Sequence, residues 1–212
     1  MVTSLPNLLT LSRIVVIPLV VATFYFDGAA PRWAACGLFV AAAVTDWFDG
    51  YLARTRNQVS SLGRFLDPIA DKLLVASVLF MLAAFQRVSV FSVLPAAVIL
   101  LRELLVSGLR EFLAEVRVGM PVTRLAKWKT GIQMVALPVL LVGDAGPIFL
   151  DTRVLVLTTP LLGETCLWVA ALLTLVTGWD YLRAGLEHMH ANPSPPKAPE
   201  QRDTRPASTG AE

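Results

Sequence analysis

The chain has 212 residues, of which 55% are hydrophobic and 16% charged, with a mean hydropathy of +0.63. An average soluble domain carries about 25% charge, so apolar residues stand where a water-soluble protein would place charged ones. The net charge of +2 is too small to point to nucleic acid, and the length suits one domain.

A bilayer-crossing helix needs about 20 mostly apolar residues. Six apolar segments occur in chain order. The first covers 8–26 and contains Arg13 and Pro18. The second, 33–44, continues into a polar stretch. The third is 65–85. The fourth, 90–109, is interrupted by Arg102 and Glu103. The fifth is 130–142 and the sixth 161–181. Several are shorter than a full crossing, so polar residues must lie at membrane depth, where they face protein or a watery cavity. The expected fold is an all-α integral membrane bundle of six transmembrane helices.

Basic residues favour the cytoplasmic side. Arg54, Arg56 and Arg64 lie between segments two and three, and Arg110, Arg117, Arg124, Lys127 and Lys129 between four and five. Arg183, Lys197, Arg202 and Arg205 follow segment six. The opposite links hold only Arg32, Arg87 and Arg153. This alternation requires an even number of crossings with both termini in the cytoplasm. Residues 1–190 read as one membrane domain. Residues 191–212, rich in Pro, Ala, Ser and charge, read as a disordered cytoplasmic tail. Residues 1–7 lack a basic n-region and no cleavage site follows, so no cleavable signal peptide is expected. Cys36 and Cys166 lie inside apolar segments and read as small buried hydrophobes. His188 and His190 receive no role.

The informative stretch is 45–72, TDWFDGYLARTRNQVSSLGRFLDPIADK. Asp46 and Asp49 are three apart, and Asp67 and Asp71 four apart. On a helix both spacings place the side chains on one face. Segments two and three, read as antiparallel neighbours, can bring the four carboxylates together near the cytoplasmic surface. Such a cluster repels itself unless cations or protons neutralise it. Mg²⁺ and Mn²⁺ prefer oxygen ligands, and two metals about 4 Å apart form a common phosphoryl-transfer clamp. Gly50 and Gly63 would let a phosphate or nucleotide approach the backbone. Taken singly, these residues have plainer readings. Asp67-Pro68 suits a helix N-cap followed by a first-turn proline. The glycines suit helix packing, and Lys127 and Lys129 suit the positive-inside rule.

The stretch resembles the signature of the CDP-alcohol phosphatidyltransferase family, D-x-x-D-G-x-x-A-R, eight residues, then G-x-x-x-D-x-x-x-D. Asp46, Asp49, Gly50, Ala53, Arg54, Gly63, Asp67 and Asp71 meet it without departure. The resemblance implies six transmembrane helices, a homodimer and a polar cavity open to the cytoplasm. It also implies two metal ions held by Asp46, Asp49, Asp67 and Asp71, with Asp71 as general base. Flanking segments, Pro6 to Thr10 with Arg13, Arg102-Glu103, Gly108 to Glu111 and Leu125 to Thr130, resemble the bacterial phosphatidylglycerophosphate synthase branch and imply the bacterial inner membrane.

On this resemblance the donor is CDP-diacylglycerol, its acyl chains in the bilayer and its nucleotide near Asn7, Asp46, Asp49, Gly50, Ala53, Arg54 and Gly63. The implied acceptor is glycerol 3-phosphate, whose dianionic phosphate calls for a cationic pocket. Thr10, Arg13, Arg102, Arg110, Lys127 and Lys129 are the candidates. Arg102 and Arg110, eight apart, lie close to one helical face. Inositol phosphate or phosphatidylglycerol as acceptor remain alternatives, and a divalent-cation transporter is the reading from another class, since acids at membrane depth also mark ion paths.

Overall fold

The computed structural model describes residues 5–56, 61–115, 124–145 and 153–191. They form six α-helices: α1 (Leu5–Thr23), α2 (Ala29–Arg56), α3 (Ser61–Ala84), α4 (Val90–Glu115), α5 (Arg124–Val142) and α6 (Arg153–Ala191). A short 3-10 turn, Gly143–Ala145, follows α5. No strand occurs among the described residues. Helices suit a chain that must leave water, because each satisfies its own backbone polar groups.

The helices outrun the apolar segments that announce them. α2 carries straight through the polar stretch after residue 44, so the first two signature acids sit on a continuing helix. α3 begins at Ser61, which places Asp67 and Pro68 inside the helix and corrects the N-cap reading. α6 spans 39 residues, well beyond its 161–181 apolar core. Hydropathy marks only the apolar stretch, whereas the helical hydrogen-bond ladder continues through flanking polar turns.

Three helical stretches are long and apolar enough to cross a bilayer: Val90–Ala114, Arg124–Ala145 and Thr159–Leu186. Thr10–Thr23 is a shorter apolar helix. The interior is lined by Val20, Phe24, Phe39, Val78, Leu79, Ile99, Leu137, Leu140 and Leu167. Phe80, Phe91, Leu101, Leu104, Leu161 and Trp179 are exposed. Large apolar side chains on the outside are costly in water and cost nothing in lipid. Cys36 and Cys166 are free and only partly buried.

α1 packs against both α2 and α3, α5 against α2 and α6, and α4 against α6. α1 bridges α2 and α3 among the described residues, and Asp46 on α2 and Asp71 on α3 lie within electrostatic reach of each other. Gly163 lets α6 press onto α5, since a Cβ there would stand 2.7 Å from Leu140 Cδ2 and 2.8 Å from its Cγ. At the start of α4, Glu164 of α6 accepts the Ser89 N–H at 2.8 Å and the Ser89 and Ser92 hydroxyls at 2.6 Å each. The first turn of α4 is thereby tied to α6 by a charged acceptor at its positive end.

Candidate active site

α1 brings Arg13 to the middle of the bundle. The residue is 2% exposed, and its Nη1 donates to Asp46 Oδ1 on α2. Thr10, one turn earlier on the same face, is also buried. Asp46 keeps about half of its side chain accessible, at 47%. On α3, Asp71 is half-buried. It lies within electrostatic reach of Asp46 and Glu103 as like charges and of Arg13 and Lys72 as opposite ones. No described cation forms an ion pair with Asp71. Lys72 is turned away and donates to Ser107 Oγ on α4.

Asp46 and Asp71 thus stand near each other, with Arg13 as the protein's own counter-charge. The side chains of Asn7, Asp49, Gly50, Ala53, Arg54, Gly63 and Asp67 lie outside the described residues, although all seven positions are helical. Among the described residues no three metal-ligating side chains form a group, as follows when two of the four signature acids fall outside. The chemistry of the pair suits a hard divalent cation: two oxygen donors that repel each other, one of them half-exposed and the other without a described ion-pair partner.

A cavity of about 960 Å³ opens beside this pair, lined by α3, α4, α5 and α6. Lys72, Arg102, Arg110, Lys127 and Lys129 line it, against Glu103 and Glu111. A smaller hollow of about 60 Å³ is lined by Asp71, Glu103, Lys129 and Gln133 among others, and so sits between Asp71 and the cationic wall. Four of the six acceptor candidates therefore share one cavity. Thr10 and Arg13 are not among its lining residues, and Arg13 pairs with Asp46.

The wall is organised by Glu103. Its Oε1 accepts Lys129 Nζ from α5 and, at 3.3 Å, Arg102 Nη1 from its own helix. Lys129 is 4% exposed, so it is held inside the protein rather than spread on a cytoplasmic loop. Arg102 Nη2 also donates to Thr177 Oγ1 on α6 at 2.9 Å. Arg110 and Lys127 remain exposed within the cavity wall. Lys72, Ser107, Thr177 and Tyr181 escaped the sequence reading. Lys72 follows the last signature acid directly, and that adjacency was the available signal. Tyr181 sits at the end of an apolar run and looks like an interfacial aromatic.

Carboxylates on α2 and α3 stand near a cavity lined by cations of α3, α4 and α5, in an all-helical chain with three helices apolar and long enough to cross a membrane. A sequence model of the CDP-alcohol phosphatidyltransferases matches residues 3–176. A protein of Rickettsia bellii named CDP-diacylglycerol–glycerol-3-phosphate 3-phosphatidyltransferase is 49% identical over 183 residues, covering 85% of this chain and 94% of its own. Proteins of the same name from Cereibacter sphaeroides and Escherichia coli are 39% and 46% identical. The first match covers 88% of this chain and 97% of the relative, the second 65% and 76%. The chain belongs to the CDP-alcohol phosphatidyltransferase family.

Proposed function

We infer that the chain is a transferase of phospholipid biosynthesis that moves the phosphatidyl group of CDP-diacylglycerol to glycerol 3-phosphate, yielding phosphatidylglycerophosphate and CMP. One observation supports this beyond the family: Asp71, close to Asp46, shares a small hollow with Lys129, which also lines a larger cavity with Lys72, Arg102, Arg110 and Lys127. The acids suit the reacting phosphates and the cations suit an acceptor that is itself a phosphate. The names of the relatives support the same pair of substrates. A cation path needs no cationic wall.

Asp71 takes the proton of the acceptor hydroxyl. The freed oxygen attacks the lipid-bearing phosphorus, the bond from that phosphorus to the CMP oxygen breaks, and CMP leaves. Arg102, Arg110, Lys127 and Lys129 hold the acceptor phosphate, and Arg54 pairs with a donor phosphate. Asn7, Gly50, Ala53 and Gly63 border the nucleotide. Arg13 orients Asp46. Asp46, Asp49, Asp67 and Asp71 would hold two divalent ions, Mg²⁺ or Mn²⁺, which neutralise charge on the pyrophosphate and the departing CMP.

The supporting frame is a six-crossing domain over 1–190 in a bacterial inner membrane, cavity and both termini facing the cytoplasm, with 191–212 as a tail. The tail beyond Ala191 and the linking residues 57–60, 116–123 and 146–152 lie outside the described residues. A homodimer is the assembly the family resemblance implies. The test is CMP release from CDP-diacylglycerol by the purified full chain in detergent. Turnover should vanish in chelator, return with Mg²⁺ or Mn²⁺, and require glycerol 3-phosphate rather than inositol phosphate or phosphatidylglycerol. Equal turnover with another acceptor, or none with any, would overturn the assignment.

A further inference from the structure

The cationic wall depends on α6 for its shape. Arg102 leaves α4 and crosses to α6, where its Nη2 meets Thr177 Oγ1 at 2.9 Å. Its stem lies over Gly178. A Cβ at that position would stand 2.9 Å from Arg102 Cγ and 3.2 Å from its Nε, so any side chain at 178 would push the arginine off its course. The guanidinium then comes to rest 5.6 Å from the centroid of the Tyr181 ring. Arg110, about two turns further along α4, also places its guanidinium 5.6 Å from that same centroid. Tyr181 is 4% exposed and lines the cavity.

A single aromatic ring therefore gathers two positive charges. The π cloud attracts each guanidinium but does not cancel their mutual repulsion. Glu103 offsets part of the charge on Arg102 but is shared with Lys129. In addition, Arg102 Nε is buried with no hydrogen-bond partner among the described residues. A buried charged donor without an acceptor is costly, and native structures seldom keep one without a use. A dianionic phosphate between the two guanidiniums would supply both the acceptor atoms and the missing negative charge.

We propose that Thr177, Gly178 and Tyr181 form a seat on α6 that sets Arg102 and Arg110 as a paired clamp for the acceptor's phosphate, so that Gly178 and Tyr181 are positioning residues that govern acceptor affinity. The proposal rests on the transfer reaction inferred above. Neither residue touches the reacting phosphorus; each acts through the arginines. The donor's pyrophosphate, on the side of α2 and α3, is unaffected by them.

The experiment uses the full chain in detergent, with Gly178→Ala, Tyr181→Leu, Tyr181→Phe and Thr177→Val, and Arg110→Ala as reference. KM for each substrate and kcat are measured by CMP release, and glycerol 3-phosphate binding is measured by calorimetry without donor. Gly178→Ala and Tyr181→Leu should raise the acceptor KM by about tenfold or more, as loss of one charge-assisted contact does. The KM for CDP-diacylglycerol and kcat at saturating acceptor should stay near wild type. Tyr181→Phe keeps the ring and should keep the affinity. Should Gly178→Ala fail to fold, Tyr181→Leu and Thr177→Val decide alone. An unchanged acceptor KM, or a parallel rise for both substrates, overturns the seat. A wild-type protein that releases CMP with no phosphorylated acceptor overturns the reaction instead. One that turns over but binds acceptor equally well in every seat variant overturns only the seat.

Discussion

Replacing Asp71 by Asn should make the protein inactive and, without metal, slightly more stable. The side chain is half-buried, has no described ion-pair partner, and feels Asp46 and Glu103 as like charges, with Arg13 and Lys72 opposing them. Arg13 is already engaged by Asp46 and Lys72 is turned toward Ser107. The net repulsion removed is about 1 kcal/mol at the effective dielectric of partly buried sites. For a chain of this size that corresponds to a rise in Tm of about 2–4 °C. Loss of a general base costs about 10²–10⁴ in rate. The assay pairs a thermal melt in chelator with CMP release in Mg²⁺, both on the detergent-solubilised protein. A variant that turns over at the wild-type rate would remove Asp71 from the chemistry. A fall in Tm in chelator would show that the acids are held by attraction, not strained by repulsion.

Lys129→Met should lower stability by about 3 kcal/mol, the low end for breaking a buried pair, because Arg102 still reaches Glu103 at 3.3 Å. Adding Glu103→Gln should restore part of the loss, and a double-mutant cycle on Tm that shows no coupling would refute the pairing. Gly163→Ala should cost about 1–3 kcal/mol, as overpacking does, because its Cβ would meet Leu140 Cγ at 2.8 Å. An unshifted Tm would mean that α5 and α6 can part freely.

Much of the site was legible because its chemistry is local in sequence. Asp46 and Asp71 sit in fixed spacings on helices, and helical periodicity says which residues share a face. Arg102 and Arg110 were legible for the same reason: eight residues return a helix to nearly the same side. What the sequence hid was what crosses between helices. Nothing local to Arg13 says that its partner is Asp46, or that α1 packs against both α2 and α3. Lys129 reads as an acceptor candidate or as one more cytoplasmic cation, and nothing beside it in sequence marks the acid on α4 that draws it inward. Gly178 and Tyr181 carry no local signal, because their work is to shape the course of an arginine from another helix. Helix ends were misjudged wherever polar turns extend an apolar core, as at both ends of α6.

The union of Arg13 with Asp46 bears on how the chain is made. The two residues are 33 positions apart, so α1 is synthesised well before its counter-charge exists. An arginine near the centre of a lone helix in lipid costs about 2.5–3.5 kcal/mol by insertion scales. α1 is therefore a poor free-standing span. Pairing with Asp46 on α2 offsets that cost, so α1 gains from the arrival of the helix that carries its counter-charge.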